Sequence, residues 1–145
     1  MIKTVVGTLA LSLASLSAFA QMSPVGLWKT IDDETKTEKS LVRITEAGGV
    51  LSGRVEKFLD PKTKADAVCE KCTDERAGKP VLGMTIIRGA KADGQGEHWE
   101  GGEILDPANG KTYRLRLKPL DGGKRLEVRG YLGPFHRNQQ WIRAE

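Results

Sequence analysis

Tyr113-Arg114-Leu115-Arg116-Leu117-Lys118 and Leu126-Glu127-Val128-Arg129-Gly130, joined through Asp121-Gly122-Gly123, decide the fold. Tyr113, Leu115 and Leu117 fall on one side of an extended chain, and Arg114, Arg116 and Lys118 on the other. That period of two belongs to a strand with one buried face, because successive side chains of a strand point to opposite faces. Asp121-Gly122-Gly123 supplies the turn that sends the chain back. Leu126, Val128 and Gly130 then alternate with Arg125, Glu127 and Arg129.

The same grammar extends to both sides. Gly26–Thr30 opens the strands, and Leu41, Val42 and Ile44 mark a second. Gly48-Gly49 turns the chain into Val50–Leu59, where Leu51, Gly53, Val55 and Leu59 share a face opposite Arg54 and Glu56. Val81–Ile87, His98–Leu105 and Gln139–Arg143 complete the set, with Asp93-Gly94 and Asp106-Pro107-Ala108-Asn109-Gly110 as turns. Residues 60–79 form one longer polar loop holding both cysteines. About eight short strands with no amphipathic helix predict an all-β protein, an antiparallel sandwich or barrel. Glycines at 53, 83, 101, 102 and 130 fall inside these strands, where they permit the bends that close a barrel and leave room inside it.

The first twenty residues read differently. Lys3 is followed by the apolar run Val5, Val6, Leu9, Ala10, Leu11, Leu13 and Leu16, and then by Ala18-Phe19-Ala20. This order predicts a secretory signal peptide over residues 1–20, cleaved after Ala20, and one domain over residues 21–145. The run is short for a membrane span. Lys3 is the one charged residue removed by that cleavage, so the net charge of +4 becomes +3. The basic residues are scattered rather than clustered, which gives no nucleic-acid footprint. The expected location is periplasmic or secreted.

Gly26-Leu27-Trp28 near one end and Trp141-Ile142-Arg143 near the other resemble the lipocalin and calycin superfamily. There a Gly-x-Trp tryptophan plugs one end of the barrel and a basic residue of the last strand lies across it. The resemblance implies a calycin-like antiparallel up-and-down β-barrel of about eight strands, closed by Trp28 and Arg143. The Thr-Asp-Tyr motif of typical lipocalins is missing, and no helix follows the last strand before Glu145. The chain also resembles a bacterial family of small exported proteins without an assigned activity. The matching stretches include Pro24–Trp28, Cys69–Cys72, Gly78–Met84, Trp99–Pro107, Gly110–Tyr113 and Val128–Gly133. That resemblance implies a shared fold and supplies no catalytic residue.

Candidate chemistry is sparse. Cys69 and Cys72 form a Cys-x-x-Cys pair, expected to be a structural disulfide in an oxidising compartment, contributing roughly 2 kcal/mol through so small a loop. Redox chemistry and a zinc site with His98 and His136 are the alternatives. Arg129 and Tyr131, two apart on a strand, resemble the Arg-x-Tyr pair with which intracellular fatty-acid-binding proteins hold a carboxylate, although Leu126 and Val128 claim the opposite face as core. Phe58, Met84, Trp99 and Tyr113 could line an apolar pocket or pack the core. Glu100, Glu103 and Asp106 cluster in sequence without an acid–base geometry that can be read. No catalytic residue, metal site or cofactor is expected. The reading is an exported barrel that binds a small hydrophobic or amphipathic ligand, one with an anionic head included. The alternatives are an interaction protein of the envelope with a filled barrel and, behind it, a Cys-x-x-Cys redox enzyme. Neither the ligand nor the oligomeric state is legible.

Overall fold

The structure is a computed structural model that describes Gly7 and residues 22–145. Apart from Gly7, the expected signal peptide and its cleavage site lie outside the described residues. Eight strands follow one another: β1 (Gly26–Ile31), β2 (Glu38–Ala47), β3 (Val50–Phe58), β4 (Thr85–Ala92), β5 (Trp99–Asp106), β6 (Lys111–Leu120), β7 (Arg125–Leu132) and β8 (Phe135–Arg143). Each pairs antiparallel with its neighbours in sequence, and β1 pairs with β8, so the sheet closes into an up-and-down barrel. The closing seam is short: Trp28 faces Arg143 and Lys29 faces Ile142. A single 3-10 turn at Asp121–Gly123 joins β6 to β7.

The alternating faces place the core. Trp28, Val42, Ile44, Leu51, Leu117, Leu126 and Trp141 are almost wholly buried. Each such aliphatic side chain contributes roughly 1.5–3 kcal/mol by leaving water. Because the strands alternate in direction, the β1–β2, β3–β4, β5–β6 and β7–β8 connections share one end of the barrel. Both ends of the folded chain meet at the other.

Three differences from the sequence reading have a physical reason. The register slips between Leu41 and Val42, where Leu41 faces Lys57 but Val42 faces Val55. This bulge resets the inside–outside parity of β3, so Phe58 rather than Leu59 turns into the barrel. β4 begins at Thr85, not Val81, because the Val81 N–H donates to the Ala67 carbonyl at 2.9 Å and the Gly83 N–H to that of Val55 at 2.7 Å. Val81 therefore belongs to the long loop. β8 begins at Phe135, four residues before the apolar signal, because its inward positions at the open end are the polar Arg137 and Gln139.

The long loop is strapped down. Cys69 and Cys72 are disulfide-bonded and buried. Arg76 is 5% exposed and donates to both carboxylate oxygens of Asp74 and, at 2.9 Å, to the Thr85 carbonyl at the start of β4. Val68 and Pro80 form an isolated antiparallel bridge across the loop's base.

Candidate functional site

The two ends of the barrel differ in kind. At the end where the chain termini meet, the Arg143 guanidinium lies over the Trp28 ring, 4.2 Å from its centroid. It donates to the carbonyls of Gly123 (2.6 Å), Val25 (2.9 Å) and Ser23 (2.7 Å), and the Trp28 indole N–H donates to the Pro24 carbonyl at 2.8 Å. Burial lowers the Arg143 pKa. This end is plugged.

The other end is hollow. A cavity of about 610 Å³ opens between the β1–β2 connection, the long loop and the β5–β6 turn. Val55, Phe58, Ile86, Ile104, Val128 and Trp141 supply much of its apolar wall. Ala67, Val68 and Val81 of the long loop border the mouth. The volume lies within the range of small-molecule sites.

A connected set of polar groups runs along β8 into this cavity. The Trp141 indole N–H donates to the Gln139 side-chain carbonyl at 2.9 Å, and the Gln139 amide donates to Asp33 at 3.3 Å. Arg137 then forks onto the same Asp33 carboxylate, its Nε lying 2.7 and 2.9 Å from the two oxygens, with Nη2 donating as well. Its Nη1 is 3.7 Å from Asp106. The Arg137 hydrogen bond, more than anything else, holds the Asp33 carboxyl below the usual carboxylate range; in return Asp33 raises the Arg137 pKa. Across the mouth, Lys39 is paired with Asp60 at 2.9 Å. Further in, the hydroxyls of Thr30 and Ser40 lie 2.9 Å apart, and the Asn109 amide donates to the Tyr113 hydroxyl at 2.9 Å.

The candidate residues divide on this geometry. Phe58 and Tyr113 line the cavity. Met84 is buried in the core and Trp99 packs against it, and neither reaches the cavity wall. Arg129 and Tyr131 face outward. β7 runs through both its ladders without a bulge, so Leu126, Val128 and Gly130 take the inside. Arg129 donates to Asn138 on the outer surface, and Tyr131 lies under the Arg114 guanidinium, 5.6 Å away. An Arg-x-Tyr clamp inside the barrel is thereby excluded. The interior glycines also act differently from expectation. A Cβ on Gly53 would meet Ile87 at 3.0 Å and one on Gly130 would meet Tyr113 at 3.1 Å, so neighbouring side chains already occupy much of the room these glycines leave.

Glu100 and Glu103 face Arg116 and Arg114 on the outer surface, away from Asp106 at the mouth. His98 sits beside Asp93 and Glu100, and His136 faces Tyr131. Among the described residues, no three His, Cys, Asp or Glu side chains converge as metal ligands. The sequence reading passed over Asp33, Arg137 and Gln139. The signal for the latter two was present, since Arg137, Gln139, Trp141 and Arg143 alternate on one face. Asp33 sits in a turn and carries no periodic mark.

Residues 26–143, the whole barrel from β1 to the end of β8, match the family described as "Uncharacterized protein conserved in bacteria" (DUF2147). The chain belongs to this family. Among solved structures, this DUF2147 protein is similar to HP1028 from the human pathogen Helicobacter pylori, described as belonging to the lipocalin family. The two share 19% identity at a TM-score of 0.71, over 86% of this chain and 84% of that one. At that identity the likeness establishes the lipocalin-like fold alone. No curated protein sequence matches the DUF2147 chain.

Proposed function

We propose that this protein carries one small hydrophobic or amphipathic molecule in the barrel, outside the cytoplasm. The observation that carries the reading is the asymmetry of the barrel: one end plugged by Trp28 and Arg143, the other holding a largely apolar cavity of about 610 Å³. A barrel filled by its own side chains, serving only as an interaction surface, would leave no such volume. A lipocalin-like relative in shape is compatible with carriage. A Cys-x-x-Cys enzyme is disfavoured because Cys69 and Cys72 are buried, whereas thiol exchange needs an accessible sulfur. The disulfide itself supports an oxidising compartment. Export would follow from cleavage after Ala20, leaving Gln21 as the first residue.

Native mass spectrometry of the protein purified from its own envelope tests both parts. The polypeptide mass is expected to match residues 21–145, with a non-covalent adduct of small-molecule size at one per chain. Uncleaved chain in the membrane pellet would overturn export. Protein free of adduct that also fails to take up a neutral apolar dye would overturn carriage.

A further inference from the structure

The charge of the cavity mouth selects among amphipathic ligands. Asp32, Glu34 and Asp106 line it as carboxylates, against two cations, Lys39 and Arg137. Both cations are already engaged by acids outside that lining, Lys39 by Asp60 and Arg137 by Asp33. An anionic head could win Arg137 only by displacing Asp33, whose carboxylate is 19% exposed and also accepts from Gln139. Leaving that charge unpaired in a partly buried site is costly. The carboxylates are less fully used. One Asp32 oxygen accepts the Glu34 and Thr35 N–H groups at 2.9 Å, which holds the group charged. One Asp106 oxygen accepts the Ala108 N–H at 2.9 Å, and among the described residues the other meets only the Arg137 guanidinium at 3.7 Å. Lys62, Lys64 and Lys111 are exposed nearby, but their side chains do not line the cavity.

We infer that the ligand is an amphiphile with an apolar tail in the barrel and a cationic head, an amine or quaternary ammonium, among Asp32, Glu34 and Asp106. The inference rests on the carriage reading above and replaces the anionic head entertained from sequence. It runs against the net positive charge of the chain, which by itself favours anions. A preference for a cation would therefore have to arise at the mouth.

The test uses three twelve-carbon probes below their micelle concentrations, displacing the neutral dye N-phenyl-1-naphthylamine from the purified protein. They are dodecyltrimethylammonium, dodecyl maltoside and dodecyl sulfate. At low ionic strength dodecyltrimethylammonium is expected to bind on the order of fivefold more tightly than dodecyl sulfate, a gap that narrows with added salt. The double variant Asp32→Asn/Glu34→Gln, which keeps the oxygen that accepts the turn N–H groups, is expected to weaken dodecyltrimethylammonium several-fold and leave dodecyl maltoside unchanged. Equal binding of all three probes, or tighter dodecyl sulfate, overturns the cationic head and leaves carriage standing. Failure of the dye and of every probe to bind folded protein overturns carriage itself, and the inference with it.

Discussion

Arg143 stacks on Trp28 at 4.2 Å and, through three backbone carbonyls, ties the last strand to the residues before the first and to the β6–β7 turn. The barrel closes over only two residue pairs at this seam, so the contact carries more than its own surface. Trp28→Ala is expected to cost about 3–5 kcal/mol as a buried aromatic truncation. Arg143→Ala is expected to cost about 2–3 kcal/mol, above a cation–π contact alone, because charged hydrogen bonds to three carbonyls, two of them part-buried, are lost as well. Arg143→Lys should recover little, since Arg143 reaches its three acceptors from three separate nitrogens of a planar fork and lysine has one. Urea titration of the single and double variants checks this. The double variant should lose less than the two singles combined, because the shared contact disappears once.

The loop over the cavity gives a second prediction. Gly110 has φ of +73°, and a Cβ there would lie 2.0 Å from the Lys71 carbonyl oxygen, beside the disulfide. Gly110→Ala should displace the strap and cost about 2 kcal/mol or more. Gly122 also has positive φ, at +63°, but nothing lies within 4 Å of its Cβ position. Gly122→Ala should therefore cost only about 1 kcal/mol, the backbone strain alone. Equal losses in thermal unfolding would mean that Gly110 is not packed against the loop.

Replacing both Cys69 and Cys72 with serine should cost roughly 2 kcal/mol or less, because the closed loop is so short. Far-UV circular dichroism should stay that of the barrel, since the pair lies outside the eight strands. Hydrogen exchange should rise at the Cys69 and Gly78 amides, which bond the Lys79 and Cys69 carbonyls at 2.8 Å. Loss of the whole β signal would contradict a local role for the bridge.

Asp33 gives a pH signature. Its carboxyl titrates below the usual range in the folded protein, chiefly because Arg137 binds the charged form. Its stabilisation is thus complete above the unfolded value of about 3.9 and is lost as the pH falls through the lower folded value. Asp33→Asn should cost about 1–2 kcal/mol at pH 7. Its deficit relative to the natural protein should shrink below about pH 4, where the natural protein loses the same interaction. A deficit that stays constant to pH 2 would show that charge plays no part.

Much of the barrel was legible because its strands have one wet and one dry face. Tyr113–Lys118 and Leu126–Gly130 alternate without interruption, and both strands run in straight register. The closing pair was legible because Trp28 and Arg143 sit at the two ends of the chain, where closure must bring strands together. The cavity was harder to read. Phe58 reaches it only through a bulge that resets parity, and a bulge leaves no mark in hydrophobicity. Arg137 and Gln139 are polar residues on an inward face, so the apolar signal that located Trp141 fell silent where the site begins. Arg129 and Tyr131 share the chemistry of a ligand clamp, but the continuous register turns both outside.

Occupancy of the barrel interior is tested most directly by Trp141, which lines the cavity while Trp28 and Trp99 do not. A dodecyl amphiphile brominated in its tail should quench part of the protein fluorescence saturably, at one molecule per chain. In Trp141→Phe the same probe should bind by calorimetry but quench little of what remains. Undiminished quenching in that variant, or no saturable quenching in the natural protein, would contradict a ligand seated in this barrel.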